Sequence, residues 1–348
     1  MVTLADRFRE HAAGCDRMGA PLYAELMRGM AADWDAAGVV REICAGWEDA
    51  PESAVVQLRL LGGLTRLVLT GQAPELVPFY RNLGGDRPAP GAWTVAQDIV
   101  AAHAGPLRDD LSVVPQTNEV GRTAPLVVAL SAARAGTGLG QVRLLEVGAS
   151  AGLNLLVDQY RIGFGSWWWG PADSPVVLED VADAEVAPAA VEIVDRRGCD
   201  LHPVDPLSEE GALRLRSFVW PDHIARYHRL DRALDIVARM PVTVDEAEAT
   251  PWLRARLAEA PDPGVLTVVW HSVVWQYLTA EARADAEEAI AEASGRMPLV
   301  HAQMEPEDLA RANRSPLTLT TYHGGVADSR LLAEVPAHGF PVRMAARP

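Results

Sequence analysis

The residues best placed to do chemistry lie in the string LLEVGASAGLN, which runs from Leu144 to Asn154. An apolar run ends at Glu146, and only small residues follow it as far as Gly152, where a helix is predicted to begin. Small residues let a ligand approach the backbone closely, and the first turn of a helix presents free N–H groups to that ligand. The pattern therefore predicts a ligand-binding turn at the carboxyl end of a strand.

The spacing of the glycines indicates which ligand this turn would take. A dinucleotide fingerprint, G-x-G-x-x-G, needs glycine at three positions where the chain has Gly148, Ser150 and Leu153. Read as acid-x-Gly-x-Gly-x-Gly, the string supplies every position from Glu146 to Gly152 except the middle glycine, which is Ser150. In this spacing the turn resembles that of the class I S-adenosylmethionine-dependent methyltransferases. The resemblance implies that S-adenosyl-L-methionine is the cofactor and that Glu146 lies near its amino-acid end.

Two acids farther along the chain fit the same resemblance. In these enzymes the second strand ends in an acid that binds the ribose hydroxyls, and the phrase RRGCDLHP assigns this role to Asp200. An aspartate that caps the following turn is an alternative role for the same residue. The third strand supplies an acid beside the adenine, and VDEAEATPWL assigns it to Glu248, with Asp245 and Glu246 as alternatives.

The fourth predicted strand runs into the string HSVVWQYL, whose polar residues would face the methyl acceptor. Methyl transfer needs an in-line approach, positioning and at most one base for the acceptor's proton. We assign His271 and Tyr277 as candidate catalytic residues, with Glu305 and His323 as alternatives. A histidine at a strand end is as often structural, so this assignment is a hypothesis.

The polar string QTNEVGR precedes the first strand of the predicted sheet. In the fold that the resemblance implies, a helix at this place often closes over the cofactor. We therefore add Asn118, Glu119 and Arg122 to the predicted cofactor site. Glu119 and Arg122 are three residues apart, so a local ion pair is the alternative.

The elements that must position these residues change in character along the chain. Residues 1–105 show apolar residues at three-to-four spacing, which predicts a helical N-terminal domain or cap. Its predicted helices are Leu4–Ala13, Pro21–Ala37, Ala54–Thr70 and Ala73–Asn82. Residues 106–140 contain a connecting helix, predicted over 116–136. No chemical motif is apparent in this first part of the chain.

From residue 141 to 348, strands and helices alternate. This predicts an α/β, Rossmann-like domain of the methyltransferase type, with a mostly parallel sheet and helices on both faces. The predicted strands are Val142–Val147, Ala190–Val194, Val242–Val244, Gly264–Trp270, Pro298–Gln303, Leu317–Tyr322 and Pro341–Met344. The predicted helices are Gly152–Tyr160, Pro221–Arg239 and Thr279–Ser294. An insertion near 160–190 carries Trp167–Trp169, of which at least one ring should be exposed or line a pocket or interface.

The composition excludes several classes of function. The net charge of −16 argues against nucleic acid or an anionic membrane as the partner. All 31 basic residues are arginine, which excludes a Schiff-base or P-loop lysine. Three scattered cysteines, without a C-x-x-C pair, predict neither disulfides nor a metal site. No signal peptide or long apolar run is evident, so a cytoplasmic location is expected.

Several phrases together resemble one bacterial family, catalogued as domain of unknown function 2332. They are RLLGGLTRLVLTGQAPEL (59–76), QTNEVGR (116–122), LLEVGASAGLNLLVDQYR (144–161), RRGCDLHPVDP (196–206), FVWPDHIAR (218–226) and WHSVVWQYL (270–278). The resemblance implies a helical N-terminal part joined to a methyltransferase-like domain, and it implies no particular reaction.

The sequence thus predicts an S-adenosylmethionine-dependent methyltransferase that acts on a small-molecule acceptor. The main alternative is a non-catalytic ligand-binding or interaction protein that keeps the same fold while its site has decayed. A nucleotide-using enzyme of another class, such as a dehydrogenase, is disfavoured by the glycine spacing. The sequence does not indicate the oligomeric state.

Overall fold

A computed structural model describes residues 3–116, 118–259, 262–306, 314–323 and 326–346. The α-helices are α1 (Leu4–Arg17), α2 (Pro21–Asp35), α3 (Val39–Ile43), α4 (Val56–Leu69), α5 (Ala92–Ala102), α6 (Ala104–Asp110), α7 (Thr123–Thr137), α8 (Glu209–Ser217), α9 (Ile224–Arg239), α10 (Ala249–Ala258) and α11 (Ala280–Ser294). The strands are β1 (Gln141–Val147), β2 (Arg161–Phe164), β3 (Trp167–Trp169), β4 (Val177–Leu178), β5 (Glu192–Asp200), β6 (Val244–Glu246), β7 (Val265–Ser272), β8 (Leu299–Met304), β9 (Ser315–His323), β10 (Val326–Val335) and β11 (Arg343–Met344).

The chain divides into two compact units, and the division is not a single cut. The first unit comprises Met1–Thr117 and Ser208–His228, and the second comprises Asn118–Leu207 and Arg229–Pro348. The sequence predicts a single domain over residues 141–348. In the structure, residues 208–228 belong instead to the first unit.

The first unit is helical, as its apolar periodicity predicts. Its first helix begins at a capping box, in which Thr3 accepts from the Asp6 amide and Asp6 accepts from the Thr3 amide. The region predicted as a helix over Ala73–Asn82 instead forms two 3-10 helices, Pro74–Phe79 and Arg81–Leu83. Pro78 lies inside it, and a proline has no N–H to continue an α-helical ladder.

Side chains from 208–228 complete this first unit. Phe218 lies against α4 at Gly62, where an added Cβ would be 2.5 Å from its ring. Asp222 accepts a 3.1 Å hydrogen bond from the Leu22 amide, so it caps α2, whose own N-cap residue makes no side-chain bond. The Trp220 ring centroid lies 5.7 Å from that of Tyr23.

The second unit is built on an eight-stranded sheet in the order β11-β10-β9-β8-β7-β1-β5-β6. The five neighbouring strands β6, β5, β1, β7 and β8 pair in parallel. The strands β9, β10 and β11 extend the sheet beyond β8 as antiparallel neighbours. Helices α10 and α11 pack on one face, against Leu145, Val147 and Val269. The predicted α/β class with a mostly parallel central sheet is therefore confirmed.

Several elements of this unit differ from the sequence prediction, which did not include helix α10. The segment after the bend is a 3-10 helix, Leu153–Gln159, rather than an α-helix. Side chains occupy two of the carbonyls that an α-helix would use: Tyr160 donates to Leu153 O at 2.6 Å, and Arg196 donates to Leu155 O at 2.9 Å. The strand β10 was not predicted at all.

The insertion forms a small separate sheet in the order β3-β2-β4. The three tryptophans of β3 have different surroundings. Trp167 is 51% exposed, whereas Trp169 is 6% exposed and its indole donates to Val157 O at 2.8 Å. The expected exposure of at least one ring is confirmed.

Candidate functional site

The carboxyl ends of β1, β5 and β7 meet at a point where the direction of strand addition reverses. From β1 the chain adds β5 and β6 on one side, and then β7 and β8 on the other. Open α/β sheets bind ligands in the crevice outside such a switch point. Glu146 lies at the end of β1, Asp200 ends β5 and Ser272 ends β7.

The bend after β1 needs a left-handed backbone at three positions. The φ angles are +70° at Gly148, +54° at Ser150 and +74° at Gly152. An added Cβ would lie 2.5 Å from Val274 at Gly148, and 2.7 Å from Val242 at Gly152. The two glycines are therefore required by close approach as well as by φ, while Ser150 occupies a conformation that favours glycine.

The backbone amides of the bend bond to the protein itself. Gly148 and Ala149 both donate to Cys199 O at 2.9 Å. The Ser150 amide donates to Asp200 at 2.9 Å, and the Leu153 amide donates to Asn118 Oδ1 at 3.0 Å. These N–H groups, expected to face a ligand, are instead directed at β5 and at Asn118, because the bend folds back over the end of β5.

The two acids assigned to the ribose and the adenine have different surroundings. Both carboxylate oxygens of Asp200 accept backbone bonds, from Ser150 N and from His202 N, each at 2.9 Å. The bond from His202 is the alternative role of Asp200, in which it caps the following turn, and the bond from Ser150 anchors the bend after β1. Glu248 is exposed before α10 and makes no capping bond. Its neighbour Asp245 binds Arg197 and the Trp252 indole.

Glu146 is a buried acid with an incomplete set of hydrogen bonds. It is 2% exposed, and its Oε1 accepts from Asn154 Nδ2 at 3.3 Å. Its Oε2 has no hydrogen-bond partner among the described residues. Burial raises the pKa of Glu146 to about 8, and this effect outweighs the opposing influence of the Asn154 amide and of the Arg122 charge.

Other unpartnered polar atoms lie close to Glu146 in the chain or across the sheet. In the described part of the chain, the buried atoms without a partner include Asn154 Oδ1, whose amide nitrogen bonds to Glu146, Trp270 Nε1, and Ser150 Oγ in the bend after β1. Trp270 is opposite Glu146 in the register of β1 and β7, so both side chains emerge on one face. The Trp270 indole also lowers the pKa of Glu146, although it makes no hydrogen bond of good geometry. Buried polar atoms are rarely left without a partner, so this concentration marks a place that a ligand could complete.

The residues of the QTNEVGR string connect this region to other loops. Glu119 is buried, accepts from Gly121 N at 3.0 Å, and has Arg229 at 3.9 Å and His338 at 3.5 Å. Arg122 donates to Ser272 O at 3.1 Å and to Ala337 O at 3.0 Å. Arg122 is therefore fixed at the end of β7, where its charge acts on Glu146.

The candidate catalytic residue His271 does not lie together with Glu146. His271 is 0% exposed, and because it follows Trp270 in β7, its side chain emerges on the opposite face of the sheet from Glu146. Its Nδ1 lies 2.7 Å from Glu305, and its Nε2 lies 2.8 Å from His301. Both ring nitrogens are engaged, so the ring has no free nitrogen to serve as a base toward an acceptor.

Tyr277 follows β7 in a 3-10 helix and is 65% exposed. Among the alternatives to these two residues, Glu305 is bonded to His271, and the side chain of His323 lies outside the described residues.

Asn154 and His301 are not among the site residues that the sequence predicts. Asn154 is a lone polar residue in the apolar run GLNLLV, and His301 is a lone polar residue in PLVHA. Such isolation in a buried run was the available signal, but the partner of each side chain is set by the tertiary structure. The 3-10 helix after the bend brings Asn154 back to Glu146, and the pairing of β7 with β8 places His301 beside His271.

Two further structural features bear on function. In the described ranges, no cluster of three or more His, Cys, Asp or Glu side chains is arranged to hold a metal ion. Over the same ranges, no helix has both the length and the apolarity needed to cross a membrane.

A family model described as "Uncharacterized protein conserved in bacteria (DUF2332)" matches residues 5–344. No curated protein and no solved structure matches the chain.

Proposed function

This chain belongs to the DUF2332 family of bacterial proteins, and we propose that it binds S-adenosyl-L-methionine at the carboxyl ends of β1 and β7 for methyl transfer to a small molecule. The observation that carries the proposal is the group of unpartnered buried polar atoms around Glu146 at the switch point of the sheet. The strand order β6-β5-β1-β7-β8, all parallel, supports a Rossmann-like fold of the methyltransferase type.

The chemistry of these atoms suits the amino-acid end of the cofactor. Glu146 Oε2, Asn154 Oδ1 and Ser150 Oγ can all accept hydrogen bonds, and an ammonium group has three N–H donors. A cation beside Glu146 would also favour the ionised form of this buried acid. The guanidinium of Arg122 is the group that we propose for the cofactor's carboxylate.

The nucleoside end would lie toward β5 and β6. Each oxygen of a carboxylate can accept more than one hydrogen bond, so Asp200 can hold a ribose hydroxyl while it anchors the bend. Glu248 is the residue proposed near the adenine. When bound, the cofactor supplies an electrophilic methyl group, and the exposed Tyr277 hydroxyl is the group proposed to hydrogen-bond and orient the acceptor.

Calorimetric titration with S-adenosylmethionine and S-adenosylhomocysteine tests this proposal. We expect saturable binding of both ligands, and its loss in Glu146→Ala. A matched control is Glu334→Ala, which removes an exposed carboxylate on β10. No binding of either ligand to the wild-type protein would contradict the proposal.

A non-catalytic ligand-binding protein is the second candidate. The engaged amides of the bend, and the engagement of both His271 nitrogens, favour it. Binding without formation of S-adenosylhomocysteine across a panel of small-molecule acceptors would support this candidate over the enzyme.

A thermal-shift panel with NAD and ATP tests the disfavoured nucleotide-using class. A small-molecule partner, the exclusion of nucleic acid and membrane, and a cytoplasmic location stay predictions.

A further inference from the structure

The turn that follows β7 contains a residue in an unfavourable conformation. Val273 has a φ of +57°. The left-handed region is costly for a β-branched residue, whose side chain crowds the backbone there. Such a conformation persists only where the surrounding structure holds it in place. Contacts on either side of Val273 therefore hold it in this conformation.

Two backbone amides of this turn donate hydrogen bonds to residues at the end of β8. The Val273 amide donates to Met304 O at 3.0 Å. The next amide, that of Val274, donates to the Glu305 carboxylate, at 3.0 Å to Oε1 and 3.2 Å to Oε2. A side-chain carboxylate thus binds the backbone immediately after the strained residue.

A chain of buried rings holds Glu305 in turn. His271 Nδ1 lies 2.7 Å from a carboxylate oxygen of Glu305 and donates to it. The other ring nitrogen of His271, Nε2, lies 2.8 Å from Nε2 of His301. Burial holds the pKa of His301 well below its usual range, which keeps this second ring neutral. The Trp275 ring stacks on His271 with 3.6 Å between centroids and 6° between planes.

The far side of the turn meets the bend after β1. Val274 occupies the space beside Gly148, where a Cβ would lie 2.5 Å from its Cγ2. The position of Val274 therefore limits the path of the bend at its first residue. A displacement of the turn would remove this limit.

We propose that Glu305, supported by His271 and His301, is a positioning residue that holds the strained turn at Val273–Val274 against Gly148 and so fixes the bend after β1. Glu305 acts here through the backbone and is not a catalytic residue. The positioning role does not depend on what the bend binds. Its consequence for ligand affinity rests on the proposed function.

Amide hydrogen exchange in the full-length protein without ligand tests the positioning role. In Glu305→Ala we expect exchange at Val274 and at Gly148–Gly152 to accelerate at least about tenfold, the scale of losing a hydrogen bond to a charged group. In Glu305→Gln the carbonyl still accepts from Val274, so exchange should stay within about threefold of wild type. Glu334→Ala is the matched control and should change neither region. Unchanged exchange at Gly148–Gly152 in Glu305→Ala would overturn the proposal.

Two further measurements separate positioning from general loss of structure. In Glu305→Gln the amide oxygen can still accept from both His271 Nδ1 and Val274 N, so the ring should keep its Nδ1 proton, which ¹⁵N shifts of the ring report. Glu305→Ala removes the acceptor from the ring as well, so its ring ¹⁵N shifts should change together with the faster exchange at the bend. Changed ring shifts with slow exchange at the bend in Glu305→Ala would show that Glu305 is dispensable for positioning. Val274→Ala, which keeps the Glu305 carboxylate, should accelerate exchange at the bend alone. That variant decides the question if Glu305→Ala does not fold.

Ligand affinity is measured separately. S-adenosylhomocysteine should bind about tenfold more weakly to Glu305→Ala, with recovery in Glu305→Gln. If the wild-type protein does not bind this ligand, the proposed function is contradicted, while the exchange data still decide the role of Glu305.

Discussion

At the scale of single residues, Glu146 shows how strongly burial changes the chemistry of a side chain. The folded chain surrounds it on nearly all sides, and among the described residues Asn154 donates a hydrogen bond to it. A carboxylate there lacks the water that would stabilise its charge, so its pKa rises to about 8. The same environment favours a ligand that brings a positive charge.

The raised pKa predicts how stability depends on pH. The folded protein retains a proton on Glu146 that the unfolded chain, with a pKa near 4.5, releases. This contribution to stability is therefore fully present below about pH 4.5 and is lost as the pH rises to about 8. Glu146→Gln should match wild type near pH 5 and be more stable at pH 8.5 by on the order of a few kcal/mol. Denaturant unfolding at both pH values measures the difference. A difference independent of pH would contradict the assignment, and Glu334→Gln is the control.

Ser150 is the second residue whose environment leads to a test. Its φ of +54° suits glycine, and its buried Oγ has no partner among the described residues. Ser150→Gly should raise the free energy of unfolding by roughly 0.5–1 kcal/mol, because the left-handed strain disappears. Ala149→Gly should lower it, because Ala149 is not left-handed and its Cβ packs beside Gly198. Chemical denaturation of both variants checks this. Shifts in the same direction would contradict it.

At the scale of elements, two helical glycines in the first unit differ in what surrounds them. Gly14 in α1 has only ordinary contacts near an added Cβ, at 3.8 Å and beyond. Gly62 in α4 has the Phe218 ring at 2.5 Å from that position. Helix propensity favours alanine at both sites, so only the packing distinguishes them.

Alanine substitutions at these two positions should have opposite effects. Gly14→Ala should stabilise the protein by about 0.5–1 kcal/mol, the difference in helix propensity. Gly62→Ala should destabilise it by about 1–3 kcal/mol, because the methyl group overlaps Phe218. Melting temperatures of the two variants measure the effects. If Gly62→Ala is also stabilising, residues 208–228 do not pack on α4 as described.

At the scale of the whole molecule, the first unit is completed by residues from far along the chain. Asp222 caps α2, and Phe218 and Trp220 contact α4 and Tyr23. A fragment of residues 1–117 lacks all of these contacts. The end of this fragment at residue 117 therefore separates residues that belong to one cooperative unit.

The fragment 1–117 should thus gain stability from the missing segment supplied in trans. A synthetic peptide of residues 208–228 should raise its melting temperature in a concentration-dependent way, because a ligand of the folded state stabilises it. A scrambled peptide of the same composition is the control. An equal melting temperature with both peptides would contradict the assignment of 208–228 to the first unit.

The sequence by itself determined features that depend on neighbouring residues. Apolar periodicity located α1, α2 and α4 of the first unit, but not α3, α5, α6 or α8, and it located most strands of the central sheet. The small residues from Gly148 to Gly152 located the bend. The family resemblance, carried by short phrases, is confirmed by the match over residues 5–344. Local sequence suffices for the helices, strands and bend because the spacing of apolar residues and the backbone conformation are set within a few residues. The methyltransferase type of the fold and the cofactor stay proposals.

Only the tertiary structure decided which groups meet. It directed the amides of the bend to Cys199 and Asp200, engaged both nitrogens of His271, and left Glu146 with an unpartnered oxygen. It also joined residues 208–228 to the first unit. These outcomes follow from strand register and from contacts between distant parts of the chain, which no local pattern encodes.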